Sequence, residues 1–322
     1  MAELRDLFGR RIHYLRAAVT DRCDFRCRYC MPQDNDWLPA ADRLSDGELV
    51  RLIRIFAGLG VDKVRITGGE PLLREGIIGL LHRVTAIEGI AEVNITTNGN
   101  LLEEFALSMK KAGVNRINVS LDTLNRGLFA SLTGRDVLPR VLKGINRALD
   151  AGFSTIKINM VVMKGVNSGE LADFARLTLE YPFQVRFIEY MPFKPGQDYL
   201  MTAADMMKQL TAAGITGLTP VPGQLSTARI YRLPGAQGSI GFISPVSRHF
   251  CAACNRVRLT PDGFLRPCLL TNREYPLREW LRSGMNEPEL AGRIAGIVRA
   301  KPRRSQLDAN YSSDRPMPRI GG

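Results

Sequence analysis

The stretch "DRCDFRCRYCMP", residues 21–32, places Cys23, Cys27 and Cys30 close together, and "TGGEP" follows at 67–71 after the next strand-like run. Cys-x3-Cys-x2-Cys is short enough for one loop to wrap a metal centre. Structural zinc prefers four Cys or His ligands, and none of His13, His82 and His249 lies in this loop. An iron–sulfur cluster fits better, because thiolates are its usual ligands. Three cysteines occupy three irons of a cubane and leave the fourth open for a small molecule to chelate.

Outward from this loop, β-branched runs alternate with amphipathic helical segments between about residues 12 and 190. The strand candidates are "IHYLRAAVT", "VDKVRIT", "EVNITT", "NRINVS", "STIKINMVV" and "FQVRFIEY". The segment "SDGELVRLIRIFAGLG" carries Leu49, Leu52, Ile53 and Phe56 at helical spacing, with a Ser45/Glu48 capping box before it and Gly60 at its end. Further helices are expected at about 101–112, 138–151 and 168–180. This alternation implies a parallel sheet with right-handed crossovers, either doubly wound or an incomplete (β/α)6-type TIM barrel. Polar and glycine-rich segments gather where these strands end, at the cysteine loop, "TGGEP", "TTNGN", "SLDT" and "YMPFKPG". Parallel α/β folds place active sites at that edge. Beyond residue 200 the rhythm changes to a helix at 202–214, short strands "TARIYRLP" and "GSIGFISP", and helices at about 276–283 and 287–299. The reading is a partial barrel over 1–200, a small α+β extension over 201–300 and a flexible tail over 301–322.

The 322-residue chain has 44 Lys+Arg against 32 Asp+Glu, a formal charge of +12. That balance favours a polyanionic ligand, whether nucleic acid, nucleotide or an acidic membrane face. No apolar stretch is long enough for a membrane span, and the N-terminus has no secretory h-region, so the expected location is cytoplasmic. All six cysteines fall in two groups, the second being Cys251, Cys254 and Cys268. In a reducing compartment such triplets read as metal sites rather than disulfides. "CAACNRVRLTPDGFLRPC" is a two-cysteine knuckle, a hairpin and a third cysteine. Zinc with His249 as fourth ligand is the specific rival to a second open cluster. Arg256 and Arg258 alternate on an expected strand and point the same way, a ready anion clamp.

The cysteine loop, with Tyr29 before its last cysteine and "GGEP" after the next strand, resembles the radical S-adenosylmethionine superfamily. The whole chain, through "CNRVRLTPDG" to the terminal Gly321 and Gly322, resembles the GTP 3′,8-cyclases of molybdenum cofactor biosynthesis. That resemblance implies two 4Fe-4S clusters, each held by three cysteines with one iron open. It implies S-adenosylmethionine contacts at Tyr29, Gly69, Ser120 and Met191. It implies GTP contacts at Arg16, Arg65, Thr96, Lys157, Arg256, Val257 and Arg258, and a Gly321–Gly322 end that enters the active site to support catalysis with Arg256 and Arg258. The implied reaction is abstraction of the ribose 3′ hydrogen by a 5′-deoxyadenosyl radical, then closure onto guanine C8 to give (8S)-3′,8-cyclo-7,8-dihydroguanosine 5′-triphosphate. An electron donor, the enzyme acting next in the pathway and a homodimer are the expected partners, with no nucleic acid and no membrane. The rival readings are a radical enzyme acting on a peptide or RNA, and a metal-bearing module that binds nucleic acid without catalysis.

Overall fold

The computed structural model describes residues 3–31, 36–191, 199–222, 227–305 and 313–321. Six strands form its centre: β1 (Tyr14–Ala18), β2 (Lys63–Thr67), β3 (Glu92–Thr97), β4 (Arg116–Ser120), β5 (Ile156–Val162) and β6 (Gln184–Glu189). They pair in sequence order, all parallel. The crossovers carry helices, among them α1 (Asp46–Gly58), α2 (Ile77–Thr85), α3 (Leu102–Lys111), α4 (Arg126–Thr133), α5 (Leu138–Asp150) and α6 (Leu171–Glu180). Ser45 and Glu48 form the expected capping box on α1, and its Leu49, Leu52, Ile53 and Phe56 are buried. Each such side chain contributes roughly 1.5–3 kcal/mol of transfer free energy.

The C-terminal region does not form a sheet of its own. Its strands are β7 (Thr219–Pro220), β8 (Ala228–Arg232), β9 (Ser239–Ile243), β10 (Arg256–Leu259), β11 (Phe264–Arg266) and β12 (Tyr275–Pro276). β9 adds parallel to β6, and β10 adds parallel to β1. The result is one sheet in the order β12-β11-β10-β1-β2-β3-β4-β5-β6-β9-β8-β7. Its eight central strands run parallel and the sheet stays open, because β9 and β10 are not paired with each other. The partial barrel is thus as expected, while the extension supplies two of its parallel strands.

Alternation along these strands is chemical as well as geometric. One set, including Leu15, Val64, Ile66, Ile95, Ile117 and Ile158, is buried in the hydrophobic core. The alternate set is polar: Tyr14 and Arg16, Lys63 and Arg65, Asn94 and Thr96, Arg116 and Asn118. A parallel strand packed on both faces reads as a continuous apolar run. These strands instead present one face to a polar lumen.

Where a flexible tail was expected, residues 313–321 lie against the barrel. Arg315 pairs with Asp262 at 2.6 Å and with Glu274 at 2.7 Å, and Ile320 is fully buried. Among the described residues no helix is long and apolar enough to cross a membrane.

Candidate active site

The turn after β2 is stitched to the cysteine loop through backbone. Gly69 N–H donates to Thr20 O and Glu70 N–H donates to Arg22 O, both at 2.8 Å. Glu70 is fully buried. Its carboxylate accepts from Leu72 N at 3.0 Å, Thr97 Oγ1 at 2.9 Å and Asn98 N at 2.6 Å. This one side chain therefore ties the turn after β2 to the end of β3. Asn98 Nδ2 donates to Asp24 Oδ1 at 2.7 Å and stands 3.9 Å from Cys23 Sγ. At the far side of the loop, Tyr29 O–H donates to Asp122 Oδ2 at 2.7 Å. Tyr29 also packs with a small cluster containing Tyr190, the residue before Met191.

All six cysteines are free thiols. Burial, and then neighbouring acids, push Cys23 and Cys30 up to about 12, and Cys27 upward as well. Cys27 feels both other thiols of the loop, and Cys23 feels Cys30. The three thiols thus share one acidic, half-buried neighbourhood. A cationic iron centre is the partner that would make them thiolates. Among the described residues, no three His, Cys, Asp or Glu groups converge on a single metal ion. Thiolates on separate irons of a cluster need no common point.

The second triplet lies in the opposite electrostatic setting. Arg10, ion-paired to Asp6 at 2.5 Å, donates to Cys251 O and to Pro302 O, each at 2.7 Å. Ser305 N–H reaches Cys251 Sγ at 3.4 Å. Buried Lys301 donates from Nζ to Pro267 O, one residue before Cys268. Burial alone would raise the Cys254 thiol, but Lys301, Arg256 and Arg10 outweigh it and bring it down. His249 lines a cavity of about 750 Å³ with Phe8, Arg10, Cys251, Ala252, Arg303 and Arg304.

Between the two triplets lies the cation-rich lumen. Register places Arg16 beside Arg258 on one side and Arg65 on the other, and Tyr14 beside Arg256 and Lys63. Arg65 Nη1 reaches Thr96 Oγ1 at 3.3 Å. Lys157, from β5, is pulled down to about 6 by burial and by Arg186, Arg65, Arg116 and Lys63. Glu92 is the carboxylate that answers them, with Lys63 at 2.5 Å and Arg116 at 3.3 Å. Gly321 O accepts from Arg16 Nη2 at 3.1 Å and from Arg258 Nη1 at 2.6 Å.

The structure therefore brings Arg16, Arg65, Thr96, Lys157, Arg256, Arg258 and Gly321 into one lumen, and Tyr29 and Gly69 to the first cysteine loop. Ser120 ends β4, two residues before Asp122. Met191 lies just past β6. Gly322 lies outside the described residues. Val257 has its side chain fully buried in the apolar core, in register with Leu15, so the side chain does not line the lumen. The sequence reading passed over Glu70, Asp122, Tyr14, Lys63, Arg186 and Lys301. For Tyr14, Lys63 and Arg186 the missed signal was polar residues at every second strand position.

Family models match on both sides of this geometry: the Radical SAM superfamily over residues 18–178 and Molybdenum Cofactor Synthesis C over 183–307. The fold resembles that of Streptococcus suis SuiB bound to S-adenosylmethionine, with a TM-score of 0.60 at 19% identity, covering 94% of this chain and 76% of that one. The chain is thus a radical S-adenosylmethionine enzyme, with the iron–sulfur chemistry of that class. The GTP 3′,8-cyclase of Moorella thermoacetica is 42% identical over 99% of this chain and 100% of its own length. That of Heliobacterium modesticaldum is 46% identical over 98% and 99%. Mouse molybdenum cofactor biosynthesis protein 1 is 40% identical over 99% of this chain and 51% of its own length. The chain belongs to the GTP 3′,8-cyclase family.

Proposed function

We propose that this chain converts GTP to (8S)-3′,8-cyclo-7,8-dihydroguanosine 5′-triphosphate, the first step towards molybdenum cofactor. The observation that carries this reading is the run of cations on three adjacent strands, Arg256 and Arg258, Arg16, and Arg65, between the two cysteine triplets. Guanidinium forks pair with phosphate oxygens, and a triphosphate accounts for several of them at once. Cys23, Cys27 and Cys30 would hold the cluster that binds S-adenosylmethionine, with Tyr29, Gly69, Ser120 and Met191 around the cofactor. Cys251, Cys254 and Cys268 would hold the second cluster. When bound, the first cluster and S-adenosylmethionine supply the radical that removes the ribose 3′ hydrogen atom.

The protein's own work is positioning. Ring closure joins two atoms of one substrate, so fixing both ends of that substrate lowers the entropic part of the barrier. Arg65, held by Thr96, and the Arg256–Arg258 pair would anchor the phosphates. Gly321 O fixes Arg16 and Arg258 at the same place and gives the tail a role in ordering the clamp. The basic surroundings of the second triplet suit an anionic substrate beside it. The same reading includes an external one-electron donor, an enzyme that takes the product forward, a cytoplasmic setting and a homodimer.

The test is anaerobic reconstitution with S-adenosylmethionine, GTP and dithionite, followed by mass spectrometry. 5′-Deoxyadenosine with a cyclised GTP product is the expected result. Deoxyadenosine without that product would sink the substrate assignment.

A further inference from the structure

Tyr14 is an aromatic group set among the cations of the lumen floor, and the reaction as described gives it no task. It is buried, 6% exposed. Lys63 Nζ lies 5.4 Å from its ring centroid, Arg65 Cζ 5.8 Å and Arg256 Cζ 5.2 Å, within cation–π range. Arg65 Nε donates to its oxygen. Every element around it contributes positive charge: Arg16 from β1, Lys63 and Arg65 from β2, Arg256 and Arg258 from β10, and Arg186 from β6. Glu92, the nearby carboxylate, is taken up by Lys63 and Arg116. The neighbouring His13 faces Asp62, at 2.7 Å.

We propose that Tyr14 is the internal counter-ion of this lumen: as phenolate it holds Arg65 and Arg256 before substrate arrives, and it takes up one proton when a triphosphate replaces it as their partner. The inference rests on the lumen being the triphosphate site. The step changes only the O–H bond, with the proton drawn from solvent.

The physical argument is a competition. Burial favours the neutral phenol, but Arg65, Arg16 and Arg256 outweigh it and bring the hydroxyl down to about 7. A triphosphate bound to the same arginines cancels their field, leaving burial to raise the group again. Tyr14 is thus a positioning residue whose charge state is linked to occupancy.

The experiment is calorimetric titration of GTP into the cluster-loaded enzyme at pH 7.5, in buffers of different ionisation enthalpy, for wild type and Tyr14→Phe. A hydroxyl near 7 is about three-quarters ionised at that pH, so wild type should take up about 0.7 proton more per GTP than the variant. Lys157 also gains a proton on anion binding, and subtracting the variant removes that contribution. A second measurement uses wild type alone: inorganic tripolyphosphate should bleach the tyrosinate band in the near ultraviolet. Equal proton numbers in both proteins, or an unchanged tyrosinate band while tripolyphosphate binds, overturn the inference alone. Failure of wild type to bind GTP overturns the triphosphate reading and the inference with it.

Discussion

Gly69→Ala tests how the loop of Cys23 is held in place. A Cβ at residue 69 would lie 2.3 Å from Arg22 O, 2.5 Å from Asp21 O and 2.6 Å from Arg22 C. These are backbone atoms, so no side chain can swing aside. Restoring van der Waals distance requires the two segments to part by about 1 Å. That separation breaks the Gly69–Thr20 and Glu70–Arg22 hydrogen bonds, both 2.8 Å in the native turn. Overpacking and two lost hydrogen bonds together cost roughly 2–4 kcal/mol. Cys23, adjacent to Arg22, moves with the loop, and a displacement of that size costs about 100-fold in a positioned reaction. The assay uses a background in which Cys251, Cys254 and Cys268 are serine, so that iron reports the first cluster alone. The expected result is a lower Tm and a substoichiometric iron and sulfide content. Wild-type Tm and full iron in Gly69→Ala would refute the close-approach argument. Weak S-adenosylmethionine binding with full iron would instead assign Gly69 to ligand contact.

Other perturbations read other parts of the site. Arg256→Ala should leave uncoupled S-adenosylmethionine cleavage largely intact while GTP turnover falls by roughly 30- to 1,000-fold, the loss of a charge-assisted contact worth about 2–4 kcal/mol; turnover at the wild-type level would remove it from the clamp. Gly321 has φ +72°, and a Cβ there would meet Thr67 Oγ1 at 2.8 Å, so Gly321→Ala carries about 1–2 kcal/mol of left-handed strain and should lower GTP turnover while the Tm shifts little. Lys157→Met should raise the Tm at pH 7 while weakening GTP binding. The sign follows from linkage: folding holds Lys157 down to about 6 from 10.5, so the unfolded chain binds more protons between those values and this group's stability contribution is lost as pH falls. The rise of wild-type Tm with pH above about 6 should therefore be shallower in the methionine variant, and equal slopes would count against a depressed lysine. Finally, GTP at 100 times its Kd should stabilise the fold by about 2.7 kcal/mol, guanosine far less. Equal protection by both would deny the phosphates their role.

The local part of the fold was legible because its signals are local. "EVNITT" is β3 residue for residue, and the helix expected at 287–299 has those bounds. The α1 capping box is present in both halves. The pairing of β10 with β1 joins residues some 240 positions apart, and nothing in either strand's composition names the other. That pairing is what puts Arg256 and Arg258 beside Arg16, so the clamp could be suspected from its residues but not assembled from them. The α2 and α4 segments were not singled out, being short helices of 9 and 8 residues in which few turns of periodicity accumulate. Glu70 was passed over because, besides the local Leu72 N–H, it accepts from Thr97 Oγ1 and Asn98 N, which reach it only once β3 lies beside the turn.

The placement of charge, rather than its amount, discriminates between readings. A net +12 spread over an outer face would suit a nucleic-acid backbone, which is neutralised along its length. Here Arg65, Arg258 and Lys157 are each less than a tenth exposed, on the inner face of an open barrel. Charge buried without a partner is costly, and Arg256 Nε is buried with no hydrogen-bond acceptor among the described residues. Glu92, Tyr14 and the carbonyl of Gly321 offset part of that cost, and the last of these ties Gly321 to Arg16 and Arg258. An excess of confined cations is a demand for a compact polyanion small enough to enter. Two cysteine triplets flank that demand, one in acidic and one in basic surroundings. On the proposed reading, such an arrangement would separate the place where a radical is generated from the place where an anionic substrate is held, while keeping both on one continuous sheet.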